Sequence, residues 1–166
     1  MYVLDTDALV NLKNAYNPSD PDDAWFWDYM LELGSEGVIK IPEMVCEEVG
    51  KGHDALVTWL AEHEKVFILK TETIMGNEFG QVVKAYESLC PNYEITENDV
   101  EFLGSKADAY LIAHALKEGG FLVSREVHRN STVIKNIKIP NVCDVLGIVC
   151  KPFARFVWEL AERKLV

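Results

Sequence analysis

Apolar positions along the chain fall into short runs that alternate with stretches spaced three and four apart. Tyr2, Val3 and Leu4 form a run broken at once by Asp5-Thr6-Asp7, after which Leu9, Val10 and Leu12 resume at helical spacing. This predicts a buried strand that delivers carboxylates at its carboxyl end, followed by a helix. Asp20 and Pro21 are placed to cap and open a second helix, which carries Trp25, Trp27, Met30, Leu31 and Leu33 and stops before Gly34. Val38 to Ile41 reads as a strand, and Pro42 opens a helix closed around Gly50 and Gly52. "HDALVTWLAEHE" is a further helix leading to the strand "KVFILK". Phe79, Val82, Val83, Tyr86 and Leu89 give an amphipathic helix within residues 71–90, with Gly76 and Gly80 as weak points. "SKADAYLIAHALKEGG" is apolar around most of its circumference, so it predicts a buried helix ending at Gly119-Gly120, and the strand "FLVS" follows directly. "NIKIPNVCDVLGI" predicts a short strand with a helix begun near Pro140, and "PFARFVWELAERK" an amphipathic closing helix.

Strands alternating with helices predict a three-layer α/β domain with a mainly parallel central sheet flanked by helices. The 166 residues suit one domain over 1–166, and no repeat, low-complexity tract or linker divides them. Hydrophobic residues at 49% and charged residues at 26% exclude a wholly disordered chain. No apolar run approaches the roughly 20 residues of a membrane span, and the first strand lacks a signal peptide's basic flank, so the expectation is a cytoplasmic protein with no membrane partner. Cys46, Cys90, Cys143 and Cys150 are widely separated, and they and the four histidines lack structural-zinc spacing. Free thiols in a reducing compartment are expected.

A formal net charge of −11 argues against broad affinity for nucleic acid. The charge is uneven, however. Residues 1–120 carry 8 Lys and Arg against 23 Asp and Glu, a balance of −15, whereas residues 121–166 carry 8 against 4, a balance of +4. The last third could face a polyanion that the rest repels; an unevenly charged solvated surface is the plainer reading.

In an open parallel sheet, reactive groups collect beyond the carboxyl ends of the strands. Asp5 with Asp7, and Glu126 just past Ser124, stand at two such ends, while Glu48 and Asp108 sit in helices due to pack beside them. Taken singly, Asp108 reads equally as a cap near Ser105, Glu48 as a solvated acid beside Glu47, and Asp5 as the cap of the first helix. Together they would converge on one mouth of the sheet, where several carboxylates cannot all ionise without a cation. Hard oxygen donors with no His or Cys select Mg or Mn.

These segments resemble the successive motifs of the PIN domain family. "YVLDTDALVNL" is similar to its opening strand ending in Asp, "IPEMVCEEV" to its Pro-x-x-Val-x-x-Glu helix, "KADAYLIAHALKEGG" to its Asp-x-x-Leu-Ile-Ala helix, and "FLVSRE" to its strand ending Thr-x-Asp. With Glu126 in place of the usual Asp and "KIPNVCDVLGI" downstream, the chain looks most like a PIN-like branch often described only as a domain of unknown function. The resemblance implies a metal-dependent endoribonuclease, a toxin paired with an antitoxin protein. Asp5, Glu48, Asp108 and Glu126 would be metal-binding and catalytic, and Ser124 would stand where the family's Thr helps hold the site. Arg125, Arg129, Lys135 and Lys138 follow the strand carrying Glu126 and are the expected phosphate contacts of an RNA substrate.

Two rivals remain. "VLDTDAL" and "FLVS" also fit a haloacid-dehalogenase-type phosphatase, although Lys135 and Lys138 are not followed by that fold's pair of acids. A PIN-like scaffold that binds without cutting is compatible with the charge balance and with Glu126. Trp25, Trp27 and Trp158 are candidate partner-facing aromatics, and a homodimer is left open.

Overall fold

A computed structural model describes residues 1–165. β1 (Tyr2–Leu4) leads into α1 (Thr6–Ala15), and a 3-10 turn, Pro21–Asp23, precedes α2 (Ala24–Ser35). β2 (Ile39–Pro42), α3 (Glu43–Val49), α4 (Ala55–Phe67) and β3 (Ile68–Leu69) follow. The second half runs α5 (Glu78–Ser88), α6 (Glu97–Gly104), α7 (Ala107–Glu118), β4 (Phe121–Ser124), α8 (Ile139–Leu146), β5 (Cys150–Pro152) and α9 (Phe153–Leu165). The five strands form one parallel sheet in the order β3-β2-β1-β4-β5. Among the described residues, no helix is long and apolar enough to cross a membrane.

The alternation of side chains along each strand makes the layers. Val3 and Leu122 point into one apolar cluster, built mainly with residues of α5, α7 and α8. Leu4 and Val123, one residue on, point into the other, filled from α1, α2, α3, α4 and α9. With both faces covered, the strands are buried and need no polar alternation. The two clusters are closely packed. A Cβ on Gly34 would lie 2.3 Å from the fully buried Phe67 ring, so α2 reaches α4 only because residue 34 has no side chain.

Several expected boundaries move, each for a local reason. α2 continues through Gly34 to Ser35 and is stopped instead by Gly37, at φ 72°, with the Val38 amide donating to the Leu33 carbonyl at 2.8 Å. α4, capped by Asp54 on the amides of Leu56 and Val57, extends to Phe67, so the expected strand shrinks to the two residues needed to pair with Ile41 and Pro42. The helix expected within 71–90 begins only at Glu78, after a 3-10 turn at Thr71–Thr73. α6 was not anticipated; a capping box between Thr96 and Asp99 starts it. No strand forms at Asn136–Lys138. Ile134–Asn136 is a 3-10 turn, α8 starts at Ile139, and the fifth strand is Cys150–Pro152 beside β4.

His114 lies in the middle of α7, completely buried, and neither ring nitrogen has a hydrogen-bond partner. Burial, reinforced by Lys117, pushes its pKa down from 6.5 to about 4. A depressed histidine contributes stability that is fully present above pH 6.5 and is lost as pH falls toward 4, because the unfolded ring takes up a proton first. His114→Leu is therefore expected to stabilise the fold by about 1 kcal/mol at pH 7, the cost of an unsatisfied buried polar group. The gain should widen between pH 6.5 and 4. Thermal unfolding of both proteins across that range checks it; a gain independent of pH would mean that the ring is not buried in its neutral form.

Candidate functional site

The chain leaves β1 toward β2 on one side and returns to β4 on the other, so a crevice opens beyond the carboxyl ends of β1 and β4. Asp5 and Ser124 end these two strands. Asp5 is held from both directions. Its carboxylate accepts the Ala8 amide at 2.6 Å as the cap of α1, and its own amide donates to the Val123 carbonyl of β4. Ser124 is buried behind it and accepts the Glu126 amide at 3.1 Å.

A cavity of about 210 Å³ fills the crevice, lined by Asp5, Thr6, Asp7, Glu48, Asp108 and Glu126 over a floor including Val45, Leu111 and Ile139. The four acids singled out in the sequence thus meet at one recess, contributed by β1, α3, α7 and the segment after β4. α3 brings Glu48, whose carboxylate accepts the Thr6 hydroxyl. Asp108 is the second residue of α7, where the helix dipole favours an anion; Lys106, not Ser105, occupies the N-cap position, with no side-chain cap bond. Asp7, which the sequence placed beside Asp5 at the strand end without a role as ligand, also lines the recess, and so does Thr6, which was not singled out.

Glu126 plays a different part from its neighbours. Lys138 Nζ donates to one of its oxygens at 2.6 Å and the Ile139 amide to the other at 2.8 Å. The carboxylate is thereby ion-paired and holds the start of α8. Of the other expected cations, Arg125 donates to Asn11 Oδ1 at 3.2 Å in a neighbouring cleft that it shares with His128. Arg129 is exposed, and Lys135 lines a second cleft with Lys106. Cys143 and Cys150 lie close enough despite their spacing for each thiol to shift the other, pushing Cys143 up and Cys150 down; all four cysteines are free.

Burial raises Asp5 from 3.8 to about 6, with the charges of Asp7 and Asp108 adding and the Ala8 amide and Ser124 hydroxyl opposing. Asp108 is also raised to about 6, first by desolvation against the recess walls and then by Glu126 and Glu48. Asp108 is exposed, so water screens its charge, whereas Asp5 is buried. The donor set is all oxygen, which suits Mg or Mn, and two of its members are costly as bare anions. Among the described residues no three His, Cys, Asp or Glu side chains stand ready to grip one ion. The acids share a recess without forming a closed cage, and three of them, Asp5, Glu48 and Glu126, already have partners.

A raised carboxyl pKa lowers stability as pH rises from 3.8 through 6, because the folded state holds its proton more tightly than the unfolded one. Asp5→Asn keeps a capping side chain and removes the charge. It is expected to stabilise the metal-free protein by about 2 kcal/mol at pH 8, with the gain vanishing below pH 4. Chemical denaturation at both pH values checks it, and equal stability at pH 8 would remove the electrostatic cost assigned to Asp5.

Comparisons with curated proteins and with solved structures give no match. A family model described as "domain of unknown function (DUF4411)" matches residues 2–161, nearly the whole chain, and the protein belongs to that family.

Proposed function

We propose that this protein is a PIN-like, Mg- or Mn-dependent endoribonuclease, acting as the toxin of a toxin–antitoxin pair. The observation that carries the reading is the acidic recess at the crevice between β1 and β4, where Asp5, Glu48, Asp108 and Glu126 line one cavity and burial raises Asp5 to about 6. Asp5, Asp108 and Glu48 do not stand as a formed cage and would have to close on a cation to hold it; the cation would supply an activated water and offset charge on the phosphodiester. The chain's own groups do the rest. Ala8 and Ser124 fix Asp5 in its ionised form, and Thr6 orients Glu48. Glu126, bound to Lys138 and Ile139, fixes the segment that carries Arg125 and Arg129 at the rim, where they and Lys135 meet phosphates. The water oxygen bonds to phosphorus and the 3′ oxygen leaves with a proton, giving a 5′-phosphate.

The antitoxin contact falls to Trp25 and Trp158, 47% and 46% exposed. Trp27 is withdrawn from that role: it is 2% exposed and stacks among Trp59 and Phe26 in the core. Free thiols at all four cysteines support a reducing, cytoplasmic setting. A homodimer remains compatible with the same exposed aromatics. A second reading, a scaffold that binds RNA without cutting it, is favoured by one observation, the Lys138–Glu126 pair that occupies the fourth acid. The phosphatase reading gains nothing, since β5 runs through Pro152 directly into Phe153 with no acid pair at its end.

Purified protein with Mn²⁺ and single-stranded RNA is expected to cleave, and Asp108→Asn to lower the rate at least about a hundredfold, the effect of removing several kcal/mol of cation-assisted stabilisation. Mn²⁺ should raise the melting temperature of the wild type and not that of the variant. Equal cleavage by both proteins would assign the activity elsewhere, and binding without cleavage would favour the scaffold.

A further inference from the structure

Beside the acidic recess, and sharing Glu48, Ala107 and Asp108 with it, a separate cleft of about 340 Å³ lies between α5, α6, α7 and the 3-10 turn before α8. Three features distinguish it from an ordinary surface dent. Lys106 and Lys135 stand at it, both exposed, and neither ammonium forms an ion pair among the described residues; Lys106 lies 5.5 Å over the Phe102 ring instead. Leu103, Ile134 and Ile137 give it a wall of nearly buried apolar side chains. Tyr86 also lines it. That residue is 97% buried, since only 3% of its surface is exposed, and its hydroxyl makes no hydrogen bond among the described residues. The little surface that Tyr86 keeps includes its hydroxyl, which is therefore open to the cleft and not sealed in the core.

We infer that this cleft is a nucleotide subsite, which seats one nucleotide of a single strand next to the phosphodiester held at the acidic recess. The inference rests on the nuclease reading for the identity of the neighbouring site, and on the cleft's own residues for the ligand class. A nucleotide has an anionic phosphate, a flat apolar base and hydroxyls or ring acceptors, and the cleft offers two cations outside any ion pair, an aliphatic wall and one free donor, with the Glu48 and Asp108 carboxylates at the edge it shares with the recess. A simple carboxylate or inorganic anion would use the lysines and leave the wall and the hydroxyl idle. An apolar ligand would use the wall and leave both ammonium groups idle. The cations also answer a difficulty of charge. The recess itself repels a polyanion, and Lys138 is spent on Glu126, so attraction must come from the rim. With Arg125 in the cleft that shares Glu126 with the recess, a strand lying over the acids would meet positive charge beside them at both clefts.

The test is binding, which needs no turnover. A fluorescent single-stranded RNA oligonucleotide is titrated by anisotropy into the Asp108→Asn protein, without divalent metal, over a range of salt. Adding Lys106→Ala and Lys135→Ala to that background is expected to weaken binding about tenfold. It should also make the slope of log K against log salt shallower by about 1.4, the value for two contacts to a single strand. Lys51→Ala with Lys65→Ala, the same change of net charge outside this cleft, should alter neither. Tyr86→Phe keeps the ring and deletes the hydroxyl; it should weaken binding about threefold with no fall in melting temperature. Unchanged affinity and salt slope on removing Lys106 and Lys135, or an equal loss in the Lys51 and Lys65 control, overturns the subsite, as does the absence of any binding by the parent. If wild-type protein cleaves RNA while the lysine variants bind normally, the subsite fails and the nuclease reading stands. If the lysine variants lose binding but the wild type never cleaves with any divalent metal, the nuclease reading fails and the cleft remains a nucleotide site.

Discussion

Parallel pairing of β1 with β4 is the contact on which the site depends. Registers of Tyr2 with Phe121, Val3 with Leu122 and Leu4 with Val123 bring the carboxyl ends of both strands to one edge, so Asp5 and Ser124 become neighbours across about 120 residues of chain. Everything acidic is arranged around that edge. α3 leaves β2 there with Glu48, α7 starts there with Asp108, and the segment after β4 turns back with Glu126. The hydrophobic faces above and below the sheet stabilise this arrangement against the repulsion it concentrates, since each fully buried leucine or isoleucine contributes roughly 2 kcal/mol. Carboxylates at a solvated sheet edge can therefore be tolerated although they are individually unfavourable.

Two buried titratable groups pull stability in opposite directions with pH. His114 favours the neutral side of its titration and loses stability as acid is added, whereas Asp5 is relieved by acid. Their ranges overlap between pH 4 and 6. A flat overall stability profile there would conceal two cancelling effects, which only the single variants separate.

Legibility in the sequence followed the strength of local signals. Strands β1, β2 and β4 and helix α7 stand close to where their apolar runs and flanking Gly or Pro put them, because each is long enough or apolar enough to fix its own state. The acids were found for the same reason: Asp5, Glu48 and Asp108 interrupt apolar segments, and an interruption is visible without knowing what surrounds it. What escaped depends on partners. β3 and β5 are two and three residues long and exist because β2 and β4 offer an edge to pair with. α6 is announced by one capping box in a polar stretch. Glu126 reads as one more metal-site acid until its two hydrogen bonds to Lys138 and Ile139 are seen, and no pattern in the chain reveals that a carboxylate and an ammonium twelve residues apart will meet.

The link between β1 and α9 bears on how such a chain folds as it leaves the ribosome. Tyr2 donates its hydroxyl to Glu159 at 2.5 Å, and Glu159 also accepts from Lys151 and Arg155, so the opening strand is fastened by residues made about 150 positions later. Contacts so distant in sequence form slowly. Until β4, β5 and α9 emerge, β1 has only β2 to pair with, and its other edge stays open to solvent and to other chains. Asp5 is translated early, but the recess it belongs to comes into being only with the last third of the polypeptide, and a nascent or truncated chain would carry the acid residues with no pocket around them.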